Sequence, residues 1–320
     1  MAEDKNNQLH SVKKEDGSES LGNDERNAKP DAQIFDSLFF QKVSRLRVAI
    51  ARKSTLSYQG RRKTSYKGNS AEFSDFREYL PGDDLRRIDW NVYARLDKPY
   101  IREYMEEREG AVNLFLDLSA SMGFWGKDVL SKQLAGAVAV AALSNLDRIS
   151  LSLIEEDRLS QLRLSGGKNN CKRALKILED AKMSGNGDLA QAIRHVPYLP
   201  AGISILVSDF MQESFLEKGE ELCRYLKYRG QKVILMQILA KEEQVIEEFG
   251  TYELLDAEGA YESVRISLDE KTVSGYEKEL AAFLKQVQRI AENSGADHYL
   301  CSTKDGFERI LTQTLRMLWA

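Results

Sequence analysis

A chain of 320 residues that is 42% hydrophobic has room for one large domain beside a smaller one, and enough apolar side chains to fill a core. Its formal net charge of −4 argues against a protein devoted to nucleic acid. Three cysteines, Cys171, Cys223 and Cys301, are odd in number, far apart and without CxxC spacing; they offer no disulfide framework and fit small buried hydrophobes in a reducing compartment.

Residues 1–32 contain no Phe, Tyr or Trp and mix both charge signs, so a disordered tail is expected there. The start of the chain is polar, and the longest apolar stretch, Leu134 to Leu143, is too short to cross a bilayer. A cytoplasmic protein is therefore expected. From Ile34 to Ile50 apolar residues recur at helical spacing (Ile34, Leu38, Phe39, Val43, Leu46, Ile50). Between Ser37 and Ala71 there is no acidic residue, while Lys42, Arg45, Arg47, Arg52, Lys53, Arg61, Arg62, Lys63 and Lys67 are all basic. This stretch is either a solvated face that pairs with acidic groups elsewhere in the fold, or a patch for an anionic partner. No aromatic RNA-binding signature accompanies it, which makes nucleic acid the weaker option.

From residue 111 onward, apolar runs alternate with helical patterns. Ala111 to Leu116 is a strand buried on both faces, ending at Asp117. A helix follows over Val129–Leu146. Strands over Ile149–Ile154 and Leu159–Leu164 flank a turn centred on Asp157. Helices are expected over Asn170–Ala181 and Leu189–Val196. The strand Ile203–Val207 ends in the polar pair Ser208-Asp209, and a helix from Ser214 to Lys227 leads to a strand over Lys232–Leu239. Residues 251–268 form a hairpin turning at Gly259. A helix over Lys271–Asn293, a strand over His298–Cys301 and a helix over Phe307–Leu318 close the chain. Such alternation predicts a mostly parallel, doubly wound α/β sheet over residues 110–320, preceded by a segment over 33–109.

Asp117 and Asp209 each end a core strand, at the edge where ligands collect in such sheets. In Asp117-Leu118-Ser119-Ala120-Ser121 a carboxylate and two hydroxyls are hard oxygen ligands suited to Mg²⁺ or Mn²⁺. Asp209 supplies a second carboxylate. The competing reading is a strand-to-helix turn in which Ser119 or Ser121 acts as a cap.

These residues resemble the metal-ion-dependent adhesion site of von Willebrand factor A domains. Asp117, Ser119 and Ser121 match its first element, and Ser208-Asp209 its later Ser/Thr-Asp element. The threonine that the resemblance implies falls in Gly185-Asn186-Gly187-Asp188-Leu189, where none is present; Asp188 is left as its substitute. A tighter resemblance lies upstream. Glu72-Phe73-Ser74-Asp75-Phe76-Arg77-Glu78-Tyr79-Leu80-Pro81-Gly82-Asp83-Asp84-Leu85-Arg86-Arg87-Ile88-Asp89-Trp90, followed by Ala94-Arg95, is similar to the signature of the bacterial "domain of unknown function 58" family, which joins this segment to a von Willebrand A-like domain. The resemblance implies frequent pairing with a MoxR-type AAA+ ATPase. The leading expectation is a non-catalytic protein-binding adaptor that uses an incomplete metal-ion-dependent adhesion-type site and works with such an ATPase in the assembly or maturation of other proteins.

Within the signature, Asp83, Asp84, Arg86, Arg87, Asp89 and Arg95 belong to a dense two-sign cluster. It reads either as a surface gripping a partner's carboxylates or as an internal ion-pair network. Catalytic patterns are missing: there is no HExxH, no Gly-x-Ser-x-Gly and no phosphate-binding Gly-rich loop, and His10, His195 and His298 are the only histidines. A Mg²⁺- or Mn²⁺-dependent hydrolase built on Asp117 and Asp209 stands as the catalytic alternative. A metal-independent scaffold using the basic segment is the other.

Overall fold

The computed structural model describes residues 12–14, 33–44, 72–105, 111–145, 147–155, 158–246, 249–254 and 264–318. The chain divides into a larger unit, residues 1–55 with 110–320, and a smaller one, residues 56–109. In chain order the first elements are β1 (Val12–Lys14), α1 (residues 37–44), β2 (Glu72–Glu78), α2 (Trp90–Leu96) and β3 (Tyr100–Met105). Next come β4 (Ala111–Asp117), α3 (Lys127–Ser144), β5 (Arg148–Glu155), β6 (Arg158–Leu164), α4 (Lys168–Asp180), α5 (Leu189–Arg194) and β7 (Gly202–Ser208). The last are α6 (Glu213–Tyr228), β8 (Gln231–Leu239), α7 (Lys241–Gln244), β9 (Gly250–Leu254), β10 (Val264–Leu268), α8 (Glu270–Ser294), β11 (Asp297–Ser302) and α9 (Phe307–Leu318).

The central sheet has the order β11-β8-β7-β4-β5-β6, parallel except for the edge strand β6, which runs antiparallel to β5. The predicted mostly parallel, doubly wound α/β fold is thus the one the chain forms. Counted by appearance within the sheet, the order is 3-2-1-4-5-6, and the winding reverses between β4 and β7. Every residue of β4 is buried, as an apolar run between two helical layers requires. At Gly202 a Cβ would lie 2.1 Å from the carbonyl oxygen of Ala111, so the approach of the two chain segments demands glycine there.

One face of the sheet packs α3, α4, α9 and the N-terminal helix α1; the other packs α5, α6 and α8. The sequence of α3, dominated by Ala, Val and Leu, is buried along almost its whole length. Two expectations change here. Phe35, Phe39 and Val43, spaced one turn apart along α1 and its lead-in, are buried in the main core, with Phe39 stacked on Phe307. This apolar stripe takes α1 into the larger unit instead of the segment 33–109. Within the tail expected to be disordered, Val12–Lys14 forms a short strand whose backbone pairs with β9, itself paired with β10. The hairpin over 251–268 is present, while its turn at Gly259 lies outside the described residues, as do residues 45–71 of the basic stretch.

The smaller unit is built on the antiparallel pair β2–β3, irregular between Phe73 and Asp75. Ile88 and Ile101 are buried within it.

Candidate functional site

β4 and β7 are neighbours at the reversal of the winding, and their carboxyl ends deliver Asp117 and Ser208 side by side. The Asp117 carboxylate accepts the backbone N–H of Ser119 (2.9 Å) on Oδ1. On Oδ2 it accepts the Ser208 hydroxyl (2.6 Å) and the Gln212 side-chain amide (3.3 Å). Ser119 begins the 3-10 turn Ala120–Gly123, yet its hydroxyl makes no cap; it lies 3.1 Å from the Ser121 hydroxyl. The capping alternative therefore fails for Ser119. The loop after α4 closes the arrangement: Ala120 N–H donates to Gly185 O and Ser184 N–H to Leu118 O. Asp117, Ser119, Ser121, Ser208 and Asp209 are all almost fully buried. Burial and the charge of Asp209 push the Asp117 carboxyl up to about 6, against the opposing pull of the Ser208 and Ser119 hydrogen bonds.

Asp209, expected as a metal ligand, is committed elsewhere. Its Oδ2 lies 3.1 Å from the Lys127 ammonium, and its Oδ1 accepts the N–H of Met211. Lys127 is the first residue of α3 and is fully buried. Its ammonium also lies 2.5 Å from Glu243 Oε1, whose other oxygen accepts the N–H of Ala240. Burial pulls the pKa of Lys127 down, but the charges and hydrogen bonds of Asp209 and Glu243 outweigh it and hold it above the ordinary lysine value. Burial raises Glu243 above the usual carboxylate range, in spite of the ammonium. Lys127, Glu243 and Gln212 carry this site and have no signal in the sequence beyond their position at element ends.

Asp188 does not join the cluster. It caps α5, its Oδ1 accepting the N–H of Gln191 at 2.8 Å. Gln212 takes the linking role instead, accepting the Leu189 N–H while donating to Asp117. For the divalent cation that the resemblance implies, the donor set falls short. Asp209 accepts from Lys127 and Met211, Asp188 from Gln191, and both oxygens of Asp117 already accept hydrogen bonds. Two bulky residues beside the site, Trp125 (φ 50) and Phe210 (φ 58), are held in left-handed backbone, a strain that clusters at functional sites.

The signature residues expected to grip a partner are mostly engaged within their own unit. Arg77 forks onto Asp83 with bonds of 2.8 and 2.9 Å, and Asp83 also accepts the N–H of Leu80. Asp84 accepts from Arg86 N–H, and Asp89 caps α2. Asp83 and Asp89 thus fit the internal-network alternative, serving turn and helix geometry, while Asp84 holds the turn at Arg86 and is exposed. Arg86 and Arg95 are exposed, and the side chain of Arg87 lies outside the described residues.

A family model described as "Protein of unknown function DUF58" matches residues 75–284. The chain belongs to this family. Among its relatives are the uncharacterized protein Rv1480 of Mycobacterium tuberculosis (strain ATCC 25618 / H37Rv) and the uncharacterized protein Mb1516 of Mycobacterium bovis. Each is 27% identical over 240 residues, which covers 72% of this chain and 74% of the relative. Similar solved structures include the conserved hypothetical protein BatB from Bacteroides thetaiotaomicron (TM-score 0.40, 14% identity, 65% of this chain and 98% of that one). A von Willebrand factor type A protein from Catenulispora acidiphila is another (TM-score 0.39, 10% identity, 69% of this chain and 43% of that one). The fold of this DUF58 protein, from its own sheet order, is a mostly parallel, doubly wound α/β sheet. Among the described residues, no helix is long and apolar enough to cross a membrane.

Proposed function

We propose that this protein is a non-catalytic, protein-binding adaptor that offers the carboxyl edge of its sheet to a partner, and that the partner is a MoxR-type AAA+ ATPase. The observation that supports this reading is the convergence of three loops, around residues 118–126, 184–188 and 208–212, on one buried polar centre at the point where the winding reverses. A centre so densely hydrogen-bonded fixes the backbone of all three loops. A fixed loop surface binds at lower ordering cost than a mobile one. Asn186, Glu213 and Glu242 are exposed on loops or helix starts at this edge and are the residues a partner meets.

The test measures binding of the purified ATPase to the immobilised full chain. Asn186→Arg, Glu213→Arg and Glu242→Arg together should weaken binding at least tenfold, or about 1.4 kcal/mol. Tyr228→Ala, at a residue 90% exposed at the end of α6 and so at the opposite edge, should leave binding unchanged. Binding that ignores the triple change, or falls equally with Tyr228→Ala, overturns the assignment of the face. Absence of any binding to the ATPase overturns the partner.

A further inference from the structure

We infer that the ammonium of Lys127 is the resident cation of the carboxyl-edge site, filling by a covalently attached charge the role that a divalent metal plays in the adhesion-type site this loop resembles. The inference concerns the electrostatics of the site and stands independently of any partner.

Three observations support it. Lys127 stands at the first position of α3, an 18-residue helix, where the helix dipole disfavours a cation. Full burial of an ammonium there is tolerated only if opposite charge is supplied close by. That charge comes from two different strand ends: Asp209 just beyond β7, and Glu243 in α7 just beyond β8. The four carboxylate oxygens of this pair each accept from a named donor. Asp209 takes Met211 N–H and Lys127, and Glu243 takes Ala240 N–H and Lys127. Asp209, the carboxylate that would be asked to neutralise a metal beside Asp117, thus faces a positive charge already. A divalent ion drawn to Asp117, Ser119 and Ser121 would find the neighbouring carboxylate, Asp209, already paired with an ammonium. Mg²⁺ sheds its waters reluctantly and is held through carboxylate charge, so the remaining hydroxyls are a poor inducement. The ammonium performs the organising task itself: it ties the start of α3 to the ends of β7 and β8, and so fixes the loop from Ser119 to Gly126 without added metal.

The experiment compares the purified full chain with Lys127→Met and with the double variant Lys127→Met/Glu243→Gln, which removes one charge of each sign. Each protein is stripped with chelator and titrated with MnCl₂ and MgCl₂. Thermal unfolding and the electron paramagnetic resonance signal of free Mn²⁺ are the two readouts. The wild-type chain is expected to show an unchanged unfolding temperature and no saturable Mn²⁺ uptake in the millimolar range. The double variant, its Asp209 carboxylate released next to Asp117, is expected to take up stoichiometric Mn²⁺ and to gain several degrees in unfolding temperature by mass action. Lys127→Met alone should behave like the double variant but start from a lower unfolding temperature. If it does not fold, the wild type and the double variant decide. Stoichiometric Mn²⁺ binding by the wild type, or a folded double variant as indifferent to Mn²⁺ as the wild type, overturns the inference.

Discussion

Without the ammonium of Lys127, two carboxylates would face each other where water does not reach. Breaking a buried pair by deleting one partner costs about 3–5 kcal/mol, because the other charge stays behind uncompensated. Lys127→Met should therefore lower the unfolding free energy by about that much in urea titrations at neutral pH in the absence of divalent ions. A loss below about 1 kcal/mol would show that Asp209 and Glu243 reach water once the lysine is gone. The cysteines give a second expectation at this scale. Burial pushes the Cys301 thiol up to about 12 and the Cys223 thiol up to about 11, while Cys171 in α4 is only half-buried. Since the thiolate is the reactive form, a colorimetric thiol reagent at pH 8 should modify Cys171 first and reach the other two only after denaturant is added. Simultaneous modification of all three in the native protein would contradict this burial. The asymmetry in what the sequence disclosed has the same origin. Asp117, Ser119, Ser121 and Ser208-Asp209 were readable because each follows a buried strand, and the strand fixes where it points. Lys127 contacts Asp209 across 82 positions and Glu243 across 116, and nothing local marks a lysine at a helix start as buried. Asp188 misled for the opposite reason: an aspartate before a helix serves equally as cap or ligand, and the N–H of Gln191 was the nearer claimant.

At the scale of elements, α1 shows how a boundary drawn from charge can miss a boundary set by packing. The basic run beginning near Ser37 marked a segment apart, while Phe35, Phe39 and Val43 on its inner stripe belong to the core under the main sheet. The contact is tight. A Cβ on Gly136 of α3 would sit 2.5 Å from the Phe35 ring and 3.0 Å from Leu175. Replacing a mid-helix glycine by alanine ordinarily gains up to about 1 kcal/mol. Here overpacking of a rigid ring costs about 1–3 kcal/mol and decides the sign. Gly136→Ala should lower the urea midpoint, whereas Gly275→Ala in α8, where a Cβ meets nothing within 4 Å, should raise it. Equal and opposite behaviour to this would mean that α1 does not rest on α3 in solution. Apart from the short helix α7, which was not foreseen, the strands and helices after residue 111 match the expected ones within a few residues because period and punctuation agree in each. The joining of β1 to β9 could not be foreseen, since pairing so distant in sequence has no local signature.

For the whole molecule, the two units differ in what they can sustain alone. The larger unit carries both clusters of buried side chains that sandwich the central sheet. In the smaller unit, residues 56–109, the described core is little more than Ile88 and Ile101, while Leu80, Leu85, Trp90 and Leu96 are exposed. Hydrophobic burial at about 25 cal/mol per Å² must offset about 1.5 kcal/mol of ordering entropy for each residue. Among the described residues, two buried isoleucines and a β2–β3 pair do not reach that, even with Arg77, Asp83 and Asp89 fastening the turns. Residues 56–109 expressed alone should show no cooperative transition in urea or on heating. The larger unit, with 56–109 replaced by a glycine-serine linker, should retain a sigmoidal transition by far-ultraviolet circular dichroism. A cooperative transition in the isolated segment would mean that the residues beyond those described complete a second core. A linker-joined larger unit that fails to fold would mean that the larger unit needs residues 56–109 in order to fold.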